Sequence, residues 1–228
     1  MLKVGNLSKS YGNQLILDNI SFEIEKGSTA AITGPSGSGK TTFLNILGTL
    51  DRADTGTVCF NNRDISFMSE KERSLFRNKH IGFIFQMHYL LPQCTVFENI
   101  LIPTLSYTGK SEKLEAQQRA DYLLDKIGMI QHRNKLPGQL SGGECQRTAF
   151  VRALINQPEL ILADEPTGSL DEENAAILSD ELIQLNKEFN TTLIVVTHSL
   201  LLAGKMDRTW HLHNYKLIAD QQLNSKHE

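Results

Sequence analysis

Lys40 follows the loop Gly34-Pro35-Ser36-Gly37-Ser38-Gly39 and precedes Thr41 and Thr42, a run that fits the pattern G-x-x-x-x-G-K-[ST]. A triphosphate is densely anionic, so its site needs many donors and few obstructing side chains. Gly34, Gly37 and Gly39 let the backbone close on the phosphates, with its N–H groups pointing inward at a helix N-terminus. Lys40 is suited to neutralise the β- and γ-phosphates, and the Thr41 hydroxyl to ligate Mg²⁺. Far downstream, the apolar run Leu160–Ala163 delivers two adjacent carboxylates, Asp164 and Glu165. Asp164 is placed to hold Mg²⁺, through water, and Glu165 to polarise an attacking water as general base. Such a pair at a strand end means little alone; beside a phosphate loop it completes a hydrolytic set.

Between these elements lies Leu140-Ser141-Gly142-Gly143-Glu144-Cys145-Gln146-Arg147. Ser141 and Glu144 have the S-x-x-E spacing of a helix capping box. Two glycines in a first turn cost about 1 kcal/mol each relative to alanine. Leaving those amides bare benefits an anion docked on the helix end.

Each of these residues needs an element to aim it. Ile20, Phe22 and Ile24 alternate with polar residues, the pattern of a sheet with one buried face. Thr29–Thr33 is a continuous small and apolar run, which predicts a central strand feeding the glycine loop. A helix through Phe43, Leu44 and Leu47 follows, with Gly48 placed to end it. The middle is helical: Ser69-Glu70-Lys71-Glu72 is a capping box, and Ala116, Ala120, Leu123 and Ile127 recur at helical spacing before Gly128. A helix starts at Ser141 and fades by Asn156-Gln157-Pro158. Leu160–Ala163 and Leu193–Val196 predict buried strands flanking a helix marked by Leu178, Leu182, Leu185 and Phe189. This order implies an α/β core with a parallel sheet, an N-terminal antiparallel β subdomain and a helical insertion. The expected boundaries are roughly 1–86 and 156–228 for the core and 87–155 for the insertion, within one domain of 228 residues.

Composition narrows the partners. The net charge is −3 and no basic stripe stands out, so nucleic acid is not an expected partner. No apolar run approaches the roughly 18–20 residues that span a bilayer, and the first residues lack the core of a secretion signal. A cytosolic chain is expected, with any membrane role borrowed from a partner. Cys59, Cys94 and Cys145 form no C-x-x-C pair, and His211 and His213 read as a polar strand face.

Taken together, the glycine loop, the Ser-Gly-Gly-Glu helix start and the Asp-Glu strand end resemble one superfamily, the ATP-binding cassette (ABC) ATPases. The resemblance covers essentially the whole chain. It implies an ATPase using ATP and Mg²⁺ that works as a homodimer, with Ser141, Gly142 and Gly143 of one copy meeting the γ-phosphate held by the other. It further implies that Tyr11 stacks on adenine and that Gln86, after the apolar strand Ile81–Phe85, senses Mg²⁺ and the attacking water. His198, after Val195-Val196-Thr197, matches the histidine contacting the γ-phosphate. Asp171, in Gly168-Ser169-Leu170-Asp171, matches the aspartate touching the partner's site, while an N-cap role is equally open to it.

Within the superfamily, His88-Tyr89-Leu90-Leu91-Pro92 with Thr95, Glu98 and Asn99, and Asp164 to Gly168, are similar to the lipoprotein-release and macrolide-export branch. Pro137-Gly138-Gln139, and Leu202-Ala203 with Met206 and Arg208, look most like the ATPase of lipoprotein release. That resemblance implies integral membrane transporter subunits as partners, a peripheral place on the cytoplasmic face of the inner membrane, and no direct contact with cargo. A macrolide-type efflux ATPase and a cell-division ATPase are the competing readings. Three departures stand out: Cys145 for a polar residue, Ser169 for asparagine, and Asn214-Tyr215-Lys216 for an Asp-Gly hairpin. The last puts Asn214 in a left-handed turn position. The apolar segment Met87–Leu91 is expected to face a membrane subunit, with Tyr89 and Leu90 as anchors.

Overall fold

The computed structural model describes residues 1–220. Two sheets share the chain. The first is antiparallel, in the order β2-β1-β4-β5, built from β1 (Leu2–Tyr11), β2 (Gln14–Ile24), β4 (Thr55–Phe60) and β5 (Arg63–Asp64). The second has six strands in the order β10-β9-β3-β8-β7-β6. Its centre is β3 (Thr29–Thr33), β8 (Thr192–Val196) and β7 (Leu160–Asp164), all parallel, with β6 (Ile81–Ile84) at one edge. β9 (Arg208–His213) runs parallel to β3, and β10 (Lys216–Ala219) turns back on it.

Among the described residues, seven α-helices connect the strands: α1 (Lys40–Leu47), α2 (Glu70–His80), α3 (Val96–Leu101), α4 (Lys110–Lys126), α5 (Gly142–Leu154), α6 (Glu172–Phe189) and α7 (Leu200–Ala203). Their starts follow the sequence closely. Ser69, Ser141 and Asp171 accept from backbone N–H groups at the heads of α2, α5 and α6, and Gly128 takes φ +65° just beyond α4.

The central strands are buried on both faces, and each face has its own core. Alternate residues Ala30, Ile32, Leu160, Leu162, Ile194 and Val196 pack with Phe43, Leu44 and Leu47 of α1 and with the antiparallel sheet. The intervening residues Ala31, Ile161, Ala163, Leu193 and Val195 pack with Val96 and Ile100 of α3, Phe150 of α5 and Leu178 and Leu182 of α6. The continuous apolar runs are therefore strands read from both sides. α3, α4 and α5 share the second core with the sheet.

Strand register fixes where the chemistry sits. Asp164 pairs with Val196, and Ile32 with the same residue. Thr33, Asp164 and Val196 thus end together, so the glycine loop, Glu165 and His198 emerge from one edge of the sheet. That carboxyl edge is where open α/β sheets bind ligands. At the hairpin after β9, on the same edge, Lys216 pairs with His213 across a two-residue turn. Asn214 (φ +47°) and Tyr215 (φ +66°) are both left-handed there, so the departure strains a tyrosine as well as the asparagine.

Candidate active site

The glycine loop wraps tightly because its glycines permit it. Gly34, Gly37 and Gly39 have φ of +148°, +75° and +100°. A Cβ on Gly34 would lie 2.3 Å from the Leu212 carbonyl oxygen, so any side chain there displaces β9. α1 opens without a capping side chain and without an acid in its first turn. Its N-terminus is positive and uncompensated, a place for an anion. Lys40 Nζ donates instead to the Gly34 and Pro35 carbonyls of its own loop, at 2.9 and 3.0 Å. The Ser38 hydroxyl is buried with no partner. Cradle, orphaned hydroxyl and self-bonded lysine all fit a phosphate chain.

Asp164 and Glu165 diverge in role because the backbone turns between them. Burial pushes the Asp164 carboxyl up, while a hydrogen bond from Thr41 works against that shift. A half-buried carboxylate bonded to the loop threonine fits a cation. Glu165 sits at φ +47°, its N–H donating to Val196 O at 2.8 Å and its carbonyl accepting from Gly168 N at 3.0 Å. A glutamate in that backbone region is strained, the kind of strain found at functional sites. His198 fixes its side chain: the backbone N–H donates to Oε2 at 3.2 Å, and Nδ1 lies 2.9 Å from the same oxygen. The imidazole itself is largely exposed. Gln86 joins from the segment just after β6, since a Cβ on Gly168 would stand 3.3 Å from its Nε2.

Tyr11 stands beside this group with half its surface open. Its hydroxyl donates to Asp51 Oδ2 and meets the Thr42 hydroxyl, and Lys9 Nζ lies 4.9 Å from its ring centroid. A pinned ring with an open face suits stacking on a base. Asp51 and Lys9, which carry no motif, were not legible as part of the site.

The Ser141 helix start is a separate place in the chain. Ser141 Oγ accepts from Glu144 N at 3.3 Å, and Glu144 Oε2 accepts from Ser141 N at 2.7 Å. Among the described residues, no hydrogen bond or ion pair joins Ser141–Glu144 to the glycine loop. Their neighbours are the 168–174 turn: a Cβ on Gly143 would lie 3.4 Å from Asn174 Oδ1. Asp171 caps α6, accepting from Asn174 N at 2.9 Å, and the Asn174 amide covers both its oxygens. The N-cap reading of Asp171 is the one seen within a single chain.

Two side chains outside the predicted set tie α5 to the segment around Gln86, just after β6. Gln146 Nε2 donates to Phe85 O at 2.9 Å, and Arg152 donates to the His88 and Tyr89 carbonyls at 2.7 and 2.8 Å. Met87 and Tyr89 are exposed, but Leu90 is only 8% exposed and packs on Cys145 and Ala149. The expectation that Leu90 is a surface anchor is therefore corrected. Arg152 pulls the segment down onto α5, and the side chain pointing inward is Leu90. His211 and His213 stack at 6.0 Å on β9; no cluster of metal-ligating side chains occurs among the described residues.

Residues 17–168 match the ABC transporter family. The chain is 47% identical over 218 residues to the lipoprotein-releasing system ATP-binding protein LolD of Bacteroides fragilis, covering 96% of this chain and 100% of that one. Its fold is similar to the dimeric structure of MJ0796, a bacterial ABC transporter cassette, with TM-score 0.85 and 37% identity over 95% of this chain and 96% of that one. It is equally similar to the post-hydrolysis dimer of the same cassette bound to ADP and Pi, with TM-score 0.84, 36% identity and the same coverage. With two central strands, the glycine loop and the Ser-Gly-Gly-Glu helix start inside the matched span, this chain belongs to the ABC transporter family, as an ATP-binding ATPase cassette.

Proposed function

We propose that the chain is the ATPase of a lipoprotein-releasing ABC complex, working as a dimer with two ATP molecules between the copies. The observation that carries the mechanism is the Glu165 carboxylate, held by His198 at the strand end beside the glycine loop. Lys40 leaves its own carbonyls for the β- and γ-phosphates, so binding exchanges neutral acceptors for charged ones. Tyr11 stacks on the adenine. Thr41, Asp164 and Gln86 would hold Mg²⁺, which would supply positive charge against the developing phosphate charge. Glu165 accepts the proton of the attacking water, oriented by His198 and Gln86.

The remaining donors come from the partner copy. Ser141 with the Gly142 and Gly143 amides, and Asp171 beside them, meet the γ-phosphate across the interface, closing the site against water. The separation of these residues from the glycine loop within one chain supports that arrangement. The likeness to LolD over nearly the whole chain supports lipoprotein release as the work done. No helix among the described residues is long and apolar enough to cross a membrane. The chain is held at the cytoplasmic face of the inner membrane by its transporter subunits and does not contact cargo. The 87–155 segment acts as the helical subdomain, and a groove of about 450 Å³ lined by Arg77, Phe83, Phe85, Pro103 and Arg152 receives the membrane subunit, with the Tyr89 ring 5.5 Å from that of Phe85.

Mixing Lys40→Ala with Ser141→Ala chains tests the shared site. A mixed dimer has one site with both defects and one with neither, so activity should return above either parent. Mixed dimers as inactive as the parents would sink the trans arrangement. Reconstitution with the membrane subunits tests the work: ATP should release an acylated lipoprotein from proteoliposomes. Release of a macrolide, or of nothing, would point to the efflux or cell-division reading.

A further inference from the structure

The head of α5 is held by a side chain that lies outside it. Glu144 uses its oxygens separately: Oε2 accepts the Ser141 N–H at 2.7 Å, while Oε1 faces His132 Nε2 at 3.3 Å. His132 closes the short 3-10 turn Ile130–His132, and its side chain is only 13% exposed. Its Nδ1 is buried with no partner. Buried polar atoms normally find partners, so an imidazole that leaves one nitrogen unpaired and offers the other to a carboxylate is placed for that contact.

Two other capping boxes in the same chain act as controls. At α2 the Ser69 hydroxyl donates to Glu72 Oε2 at 2.7 Å, and at α3 the Thr95 hydroxyl donates to Glu98 Oε2 at 2.9 Å. Neither glutamate meets a histidine among the described residues. At α5 the glutamate turns Oε1 to His132, and the Ser141 hydroxyl makes no bond of comparable geometry. The Ser141 hydroxyl still lies near the Glu144 carboxyl and helps hold its charge, but among the described residues it makes no bond as short as those of Ser69 and Thr95, so it is the most loosely held of the three and the readiest for another acceptor.

We propose that His132 is a positioning residue for hydrolysis: through Glu144 it frees the Ser141 hydroxyl and aims it, with the Gly142 and Gly143 amides, at the γ-phosphate of the opposite copy. This rests on the reading that Ser141 acts in trans. His132 touches no substrate and leaves the glycine loop of its own chain alone. It therefore changes turnover and not the binding of ATP to an isolated chain.

The test compares His132→Leu, which fills the space without a donor, with His132→Gln, whose carboxamide N–H reaches near the Nε2 position. His132→Leu should lower kcat on the order of tenfold while the ATP Kd of the monomeric chain changes less than about twofold. His132→Gln should restore most of the rate. In a Glu144→Ala background, His132→Leu should change kcat by less than about twofold further, since the route runs through Glu144. Wild-type kcat in His132→Leu, equal impairment of the two variants, or effects that multiply with Glu144→Ala would each overturn the assignment. If His132→Leu does not fold, His132→Ala takes its place, with the same expected loss in the wild-type background and the same near absence of effect in the Glu144→Ala background. Ser141→Ala is measured in parallel: wild-type kcat there removes the trans reading itself. An impaired Ser141→Ala beside an intact His132→Leu removes only the role of His132.

Discussion

Two helix N-termini in this chain carry phosphate-site motifs, and they are built in opposite ways. α1 begins with an uncapped glycine loop, no acid in its first turn, and Lys40 bonded to carbonyls it can leave. α5 begins with a closed capping box, a glutamate in its first turn and a histidine beside it. The Ser141 backbone N–H holds the Glu144 carboxyl below its ordinary range, so this end carries a full negative charge. The first end is ready for an anion on its own; the second offers a loosely held hydroxyl but keeps the Glu144 carboxylate on its Ser141 N–H, which a docking phosphate must displace. The contrast predicts an order of events in which ATP is taken by the α1 site and the α5 head engages afterwards, on closure.

Glu165→Gln gives the largest expected break between binding and turnover. It removes the base and little of the cradle, so kcat should fall on the order of 10²–10⁴-fold with ATP affinity kept. Near wild-type turnover would remove Glu165 from the mechanism. Lys40→Ala should instead weaken ATP binding by about 10–100-fold, the loss of one or two charge-assisted bonds, as read by nucleotide titration. An unchanged affinity would mean that the α1 end is no readier than the α5 end.

Asp164 sharpens the comparison through pH. Its folded pKa is raised, chiefly by burial, so the folded chain binds its proton more readily than the unfolded chain does. Stability of the nucleotide-free chain from this group is present below the ordinary carboxylate range and is lost as pH rises through the raised value. Asp164→Asn should flatten that slope, raise the neutral-pH stability of the free chain by on the order of 1 kcal/mol, and abolish turnover. A free chain destabilised by the substitution would show the carboxylate to be well compensated already. The smallest effect concerns the hairpin after β9. Tyr215→Gly relieves a left-handed tyrosine while keeping the carbonyl that accepts from Asp18 N at 2.9 Å. It should raise stability by about 0.5 kcal/mol, net of glycine's extra unfolded-state freedom, and leave ATP hydrolysis unchanged. A loss of stability would mean that the tyrosine ring packs more than it strains.

The sequence by itself determined the elements whose signals are local. Glycine spacing before Lys40, the S-x-x-E boxes and the apolar runs each act within a few residues, so strands β3, β7 and β8 and the helix heads were legible with their boundaries. Only the tertiary structure decided the partners across the chain. Asp51 reaches Tyr11 from about forty residues away, and Arg152 reaches the 88–89 carbonyls from a different element. Leu90 looked like a surface anchor because the segment around it is apolar throughout; Arg152 turned it inward. His132 had no motif at all, since its meaning depends on which oxygen of Glu144 the fold leaves unspent. Periodicity and spacing record a residue's own backbone, and contact across the chain is settled by which faces the sheet buries.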